Sequence, residues 1–553
     1  MLNRAGLLLA ILIIASSGLY LIGNGSVALW DRDEPRYAQT SRQMWKSGDW
    51  VVPHYLDLVR TAKPPLIYWC QAAAMSELGD NAFAARLPSA VAIIILLILL
   101  PAVLLRHIGL QRTLWTVFIF ATSGLVIANA KLCITDAVLL LWVTIAQFCL
   151  YSIWRGNASW PVVLTMAVAI GLAGLTKGPV ILGFLAMTLL ALGVFRLIDS
   201  RFIPLPADET LPVRRRPSHI FLKTIIGFLI VTAITLPWVF LVNHRASAFL
   251  RTAVGHEVWD RMMTPLEQHT GPPGYYLLTI WLTFFPWSML LPTAIGLAIR
   301  YRANPQTRFA MAAIVGPWIM LECVRTKLPH YFLPVFPALA FLTADAIVRC
   351  LSGQHDHLKS RGFIRAIGVC GVLIAVATSA PWLVMRAYHP LPYAAMTVIS
   401  ILGVLFGVTV FTLFKIRRTA AGALAMGICT MALVGVIYGW YLPQAQFLQL
   451  SPRVADVLIA HDVVHPHQVI MLGYMEPSLA FYQGGTMREA GPIGLGPNFV
   501  AQFPQWMVVS ADVWNQATPD VRQLFDVVAD VRGLAYADHG RWVNVMVLRR
   551  KGG

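Results

Sequence analysis

The chain predicts an α-helical polytopic membrane protein, and three observations carry that reading. Of its 553 residues, 57% are hydrophobic and only 12% are charged, against about 25% charged in ordinary soluble domains. Apolar runs of roughly 20 residues follow one another along the chain, each long enough to cross a ~30 Å hydrocarbon layer as a helix. The basic residues gather in short connectors between these runs, the pattern that orients helices in a membrane.

Hydropathy gives about thirteen spans, at 5–23, 84–105, 112–129, 135–153, 161–175, 179–197, 220–242, 275–298, 307–322, 332–349, 364–386, 394–415 and 420–441. The first follows Arg4 and resembles a signal peptide, but the spans behind it make an uncleaved first helix the expectation. A formal net charge of +17 would suggest nucleic acid in a soluble protein. Here membrane orientation explains the charge, so no nucleic-acid partner is expected. Seven cysteines form no C-x-x-C pair, and none falls in the C-terminal tail. That pattern argues against a disulfide framework and a thiolate zinc site.

Alternate connectors separate by charge. One set holds Arg4, Arg106, Arg112, Arg155, Arg196, Arg201, Arg214, Arg215, Arg216, Lys223, Arg300, Arg302, Arg308, Arg349, Lys359, Arg361, Arg365, Lys415, Arg417 and Arg418. By the positive-inside rule this set is cytoplasmic. An odd span count then puts the C-terminus outside. The outer side receives three large pieces: a loop at 24–83, a loop at 243–274 and a tail at 444–553. The expected organisation is a membrane unit at 1–443 and an outer domain at 444–553, with the chemistry outside, where the substantial loops lie. The tail reads as a small α/β domain. Ser451-Pro452 suggests a helix cap followed by proline at the first helical position, and strand-like runs lie at 468–472, 506–510 and 542–548. It holds no catalytic cluster, which points to a lid or docking role.

Residues suited to chemistry concentrate at the outer rim. The first outer loop opens with Trp30-Asp31-Arg32-Asp33-Glu34-Pro35-Arg36-Tyr37, in which acids and arginines cluster at one point. Helical spacing from Glu34 to Lys46 puts Tyr37, Thr40 and Met44 on one side of a helix expected to lie on the membrane surface. Lys63-Pro64-Pro65-Leu66-Ile67-Tyr68-Trp69 offers a second interfacial helix with a cation able to reach a lipid phosphate. Asp136 and Lys131 stand at the mouth of the fourth span, and Asp136 also suits a helix N-cap. Lys177-Gly178-Pro179 adds a cation at the same level. The loop after the seventh span carries His256, Glu257, Arg261, Glu267, His269, Tyr275 and Tyr276, and Lys327, His330 and Tyr331 follow the ninth. Carboxylates suit sugar hydroxyls, amines or a divalent ion. Cations suit a lipid phosphate and aromatic faces suit sugar rings. The membrane interior is nearly free of ionisable residues, with Asp345 near the cytoplasmic end of its span. A transporter would be expected to carry charge at mid-membrane.

Asp33-Glu34 with Arg36-Tyr37, Lys63-Pro64-Pro65-Leu66-Ile67-Tyr68-Trp69, Thr135-Asp136, Thr176-Lys177-Gly178-Pro179 and Lys327-Leu328-Pro329-His330-Tyr331 together resemble the bacterial 4-amino-4-deoxy-L-arabinose (lipid A) transferases. These belong to the GT-C superfamily and are related to protein O-mannosyltransferases. Pro477-Ser478-Leu479-Ala480-Phe481-Tyr482 in the tail is also similar. The resemblance implies transfer of aminoarabinose from undecaprenyl phosphate to a lipid A phosphate at the periplasmic face of a bacterial inner membrane. It implies Asp33 and Asp136 as the catalytic acids, with Arg36, Tyr37, Lys63 and Lys177 near the donor phosphate or sugar. Glu34, Tyr68, His269, Lys327, His330 and Tyr331 complete the expected substrate-binding set. No cofactor is required by the sequence. A divalent metal is admissible, with Asp33, Glu267 and His269 as candidate ligands. Relatives often place an acid just before the Lys-Pro-Pro run, where this chain has Ala62. That departure bears on the exact sugar. The alternatives are a related GT-C transferase with another polyprenyl-phosphate sugar and a lipid, glycan or protein acceptor, and a lipid flippase or transporter without chemistry.

Overall fold

The computed structural model describes residues 4–202, 219–247, 249–254, 271–384, 391–489 and 503–551. Among these, ten helices are long and apolar enough to cross a membrane, and two further bent pairs pass the same test together. The early helices are α1 (Arg4–Leu21), α2 (Asp33–Ser47), α3 (Leu66–Leu78), α4 (Ala82–Ile108), α5 (Leu110–Thr122), α6 (Gly124–Ala130), α7 (Asp136–Trp154), α8 (Trp160–Lys177), α9 (Val180–Phe202) and α10 (Ile220–Arg245). The chain is therefore a multi-pass membrane protein. The span expected at 307–322 is the helix Pro305–Cys323, where Gln306, Arg308 and Glu322 dilute the apolar content.

Two of the expected spans are bent. The pair α5 and α6 bends by 60°, and Tyr275–Thr283 with Trp287–Arg300 bends by 117°. In the second pair Pro286 has no amide hydrogen to continue the ladder. The two breaks meet: the Gly124 amide donates to the Phe285 carbonyl at 2.8 Å.

Ion pairs hold the opposite helix ends. Asp345 accepts from Arg112 at 2.6 Å and from Arg349 at 2.7 Å. Asp199 is held by Arg302 at 3.0 Å and Arg308 at 2.7 Å. These pairs belong to the connectors read as cytoplasmic.

The first outer loop contains a short hairpin, β1 (His54–Tyr55) and β2 (Leu58–Val59), between α2 and α3. The expectation that α2 lies on lipid is corrected. It is buried on most of its circumference, packed between α3, the hairpin and the tail helix Pro477–Gln483. The tail forms a five-stranded mixed sheet in the order β4-β3-β5-β7-β6. Its strands are β3 (Val469–Leu472), β4 (Arg488–Glu489), β5 (Trp506–Ser510), β6 (Phe525–Ala535) and β7 (Arg541–Arg550). The strand β6 escaped the sequence reading because Asp526, Asp530 and Arg532 break its apolar run. The helix Leu450–Ala460 starts after Gln449, so Ser451 is not its cap. Its hydroxyl instead meets the Tyr474 hydroxyl at 2.8 Å. Leu450, Val454 and Leu458 pack on one face of the sheet against Val469, Val508 and Val545.

Candidate active site

A helix advances about 100° per residue, so neighbouring acids at the start of α2 face different surroundings. Glu34 turns inward and is 1% exposed. Its carboxylate accepts from Arg86 at 2.6 and 3.0 Å, from the Trp30 amide at 2.8 Å and from the Cys133 amide at 2.7 Å. Arg86 uses its remaining donors on the carbonyls of Asn24, Val27 and Ala28. Glu34 is thus spent on tying the first loop to α4 and to the entrance of α7. The expectation that it binds substrate is corrected: a carboxylate with four donors in a buried pair has nothing left to offer.

Asp33 turns outward and is exposed. One turn later Tyr37 is buried, with its ring 5.7 Å from that of Tyr68. The Arg60 guanidinium lies 5.3 Å from the centre of the Tyr37 ring, and its Nε donates to the Tyr68 hydroxyl at 3.1 Å. Burial drives the Tyr37 hydroxyl well above its ordinary pKa. Tyr68, Asp33 and Asp136 push in the same direction, while Arg60 opposes them. The Tyr37 hydroxyl therefore lies within electrostatic reach of both carboxylates. Arg36 and Arg60 both act on Tyr55 of the hairpin, which places the two cations on one side.

Asp136 is the first residue of α7 and is buried. It accepts from Lys177 Nζ at 2.7 Å, and His330 Nε2 lies 3.9 Å from its other oxygen. Lys63 also acts on it electrostatically. Lys177 ends α8, where Gly178 adopts a φ of +70°. Its ammonium lies 4.5 Å from the Tyr331 ring centre, and His330 and Tyr331 meet edge-on at 5.0 Å. Residues far apart in sequence thus converge: Asp33, Tyr37, Lys63, Tyr68, Asp136, Lys177, His330 and Tyr331.

The sequence profile of the dolichyl-phosphate-mannose-protein mannosyltransferase family matches residues 6–251. An undecaprenyl phosphate-α-4-amino-4-deoxy-L-arabinose arabinosyl transferase from Edwardsiella ictaluri is 29% identical over 450 residues, covering 78% of this chain and 76% of the relative. The enzyme of the same name from Erwinia tasmaniensis is 30% identical over 394 residues, covering 69% and 66%. That from Photorhabdus laumondii is 31% identical over 369 residues, covering 65% and 63%. The crystal structure of ArnT from Cupriavidus metallidurans bound to undecaprenyl phosphate superposes with a TM-score of 0.73 at 19% identity, covering 98% of both chains. The chain belongs to the bacterial aminoarabinose transferase family. The fold is therefore GT-C, as the motifs led us to expect.

For this aminoarabinose transferase family member, several expected residues take other roles or lie outside the described residues. Lys327 is buried against Glu322 at 3.1 Å and points at the Gly271 and Pro272 carbonyls. It braces the turn at 271–274, and the expectation of a substrate contact is corrected. His269 and Glu267 lie outside the described residues, as do His256, Glu257 and Arg261. Lys131 donates to the Ile22 carbonyl at 2.6 Å and lies over Tyr438, so it fastens α1 to the bundle. Among the described residues no three His, Cys, Asp or Glu side chains converge to hold a metal. Sequence reasoning missed Arg60, which looks like an ordinary loop charge until the hairpin folds it over Tyr37.

Proposed function

We propose that the chain transfers 4-amino-4-deoxy-L-arabinose from undecaprenyl phosphate to a phosphate of lipid A, by inverting displacement at the periplasmic face of a bacterial inner membrane. It is a polyprenyl-phosphate-dependent glycosyltransferase, and family membership removes the flippase alternative. The observation that carries the reading is the pairing of two unlike carboxylates, exposed Asp33 and Lys177-bound Asp136, among the cations Arg36, Arg60, Lys63 and Lys177.

In the proposed step the bond between the anomeric carbon and the donor phosphate oxygen breaks. The electron pair leaves with undecaprenyl phosphate. An oxygen of the acceptor phosphate attacks the opposite face. Departure builds negative charge on phosphate oxygens, and Lys63, Arg36 and Arg60 would stabilise it in a partly dry site, where such contacts are strong. Asp136 fixes Lys177 at the same wall. Positive charge develops on the sugar ring, and the Asp33 carboxylate offsets it or holds the sugar amine. A phosphate monoester has a second pKa near ~6 and is already largely ionised at neutral pH, so the acceptor needs no general base. The scheme routes no step through a metal ion.

The test is transfer in reconstituted membranes with defined polyprenyl-phosphate sugars, read by mass spectrometry of the acceptor lipid. Aminoarabinose on a lipid A phosphate is the expected product, and Asp33→Asn and Asp33→Ala should reduce its formation by about 100-fold or more without loss of the protein. Near-normal transfer by both variants would overturn the role of Asp33. A different sugar or acceptor preferred by the wild type would overturn the substrate assignment.

A further inference from the structure

The tail motif Pro477–Tyr482 does not reach the sugar site, yet its residues and their neighbours seize the chain just before Asp33. The Leu29 amide donates to the Tyr482 hydroxyl at 2.9 Å. The Trp30 ring meets Tyr536 edge-on with centroids 5.3 Å apart. The Asp31 amide donates to the Tyr536 hydroxyl at 2.9 Å. The Asp31 carboxylate accepts from the Ser478 amide at 2.8 Å and from Ser478 Oγ at 2.5 Å. Arg32 pairs with Glu476 at 3.3 Å. Behind them Ser478 Oγ reaches Ser451 Oγ at 2.6 Å, and both serines are buried. On α2 itself, Arg42 donates to the Phe481 carbonyl at 2.7 Å and lies over the Phe481 ring at 4.0 Å.

Apart from the Trp30 amide, which donates to Glu34 at 2.8 Å, these partners of residues 29–32 come from the tail. A domain that merely covered the loop would be expected to bury apolar surface there. This one spends directional, desolvated hydrogen bonds, which fix geometry more than they add stability. Asp33 has no hydrogen-bond partner of its own among the described residues, so its direction is set by the backbone that carries it. Catalytic groups need placement within about 0.5 Å of the productive geometry.

We propose that the C-terminal domain is a positioning clamp for the reaction centre, in which Ser478 and Asp31 fix the backbone that presents Asp33. The proposal rests on the role assigned to Asp33 above. Neither residue touches substrate; both act through Asp33.

The experiment uses the full chain in lipid nanodiscs, with donor kinetics and thermal midpoint measured for Ser478→Ala, Asp31→Ala, Asp31→Asn, Tyr482→Phe and Asp33→Asn. Asp31→Asn keeps the shape and one acceptor for the Ser478 amide. Misplacing a catalytic group by about 1 Å costs up to roughly 100-fold. Ser478→Ala and Asp31→Ala are therefore expected to lower kcat between about tenfold and 100-fold while donor KM moves less than about threefold. Asp31→Asn should recover most of the loss. Tyr482→Phe should lower kcat in the same direction, and it carries the test if Ser478→Ala does not fold. Unchanged kcat in the folded variants overturns the clamp. So does a loss that tracks the thermal midpoint, or one in which Asp31→Asn fares no better than Asp31→Ala. Active Asp33→Asn sinks the reading on which the clamp rests. Inactive Asp33→Asn with unimpaired Ser478→Ala sinks the clamp alone.

Discussion

At the start of α2 the helical rotation of about 100° per residue sends Asp33 into the open site and Glu34 into the Arg86 pair. The two acids should respond differently to substitution. Removing one partner of a buried ion pair leaves an uncompensated charge and costs about 3–5 kcal/mol. Glu34→Gln is thus expected to lower the thermal midpoint and the yield of folded protein sharply. Thermal unfolding of the purified variant checks this, and a normal midpoint with raised KM would return Glu34 to the substrate set. Lys177 and Arg60 call for kinetic tests. Lys177→Ala frees the buried Asp136 carboxylate as well as removing a cation, so kcat should fall by about 100-fold. Arg60→Ala should raise donor KM and lower kcat by about tenfold each, with the loss shrinking at high salt, where screening already weakens the wild-type contact. Asp33 stood out as a candidate because acids crowd one point of the first loop. Which acid faces the site was not legible, since adjacent carboxylates look alike until a helix orients them. Arg60 stayed hidden because only the β1–β2 hairpin carries it over Tyr37.

On the scale of elements, α2 depends on what packs against it. The sequence placed its apolar positions correctly, as Tyr37, Thr40 and Met44 are all buried. It could not show that Gln39 and Arg42 are buried too, because their cover is a tail segment more than 400 residues away, as in the Arg42 to Phe481 contact, while Ser41 is covered by Gln71 of α3. The joint between tail and loop carries a titrating group. Burial pushes the Asp31 carboxyl up to about 7, Glu476 adds to the rise, and Ser478 and Arg32 oppose it. Tyr474 and Tyr536 face the same carboxyl, and Asp538 acts on Arg32 beside it. The folded value lies above the ordinary 3.8, so the protonated form stabilises the docked tail. That contribution is complete below about 3.8 and is lost as pH rises through about 7. Protection of the helix Pro477–Gln483 against hydrogen exchange, corrected for intrinsic rate, should fall as pH rises from about 3.8 to about 7 and level off above that. Asp31→Asn should flatten the change. The breaks at Ser123 and Pro286 were equally out of reach of hydropathy, which measures apolar content and not straightness.

For the molecule as a whole, orientation decides whether the site can meet a lipid on the outer side. The arginine-rich connectors sit at the helix ends opposite Asp33 and Asp136, with Asp345 and Asp199 neutralised there by Arg112, Arg349, Arg302 and Arg308. In a cysteine-free background, Asp57→Cys is therefore expected to react with an impermeant maleimide from the periplasm, and Arg417→Cys only after the membrane is opened. Labelling of both from one side would overturn the topology. The sequence by itself determined the membrane class and the order of its apolar helical segments, ten to twelve of which are long and apolar enough to cross a membrane among the described residues. These follow from local composition: a long apolar run must become a helix in hydrocarbon, whatever its neighbours. It also determined the family, because the motifs keep their order along the chain. Only the tertiary structure decided which acid is free and which is spent, that Lys327 is a brace, that two spans break, and that the tail grips the residues before Asp33. Those outcomes depend on pairing between groups tens to hundreds of residues apart, and no local pattern encodes which partner a buried charge will find.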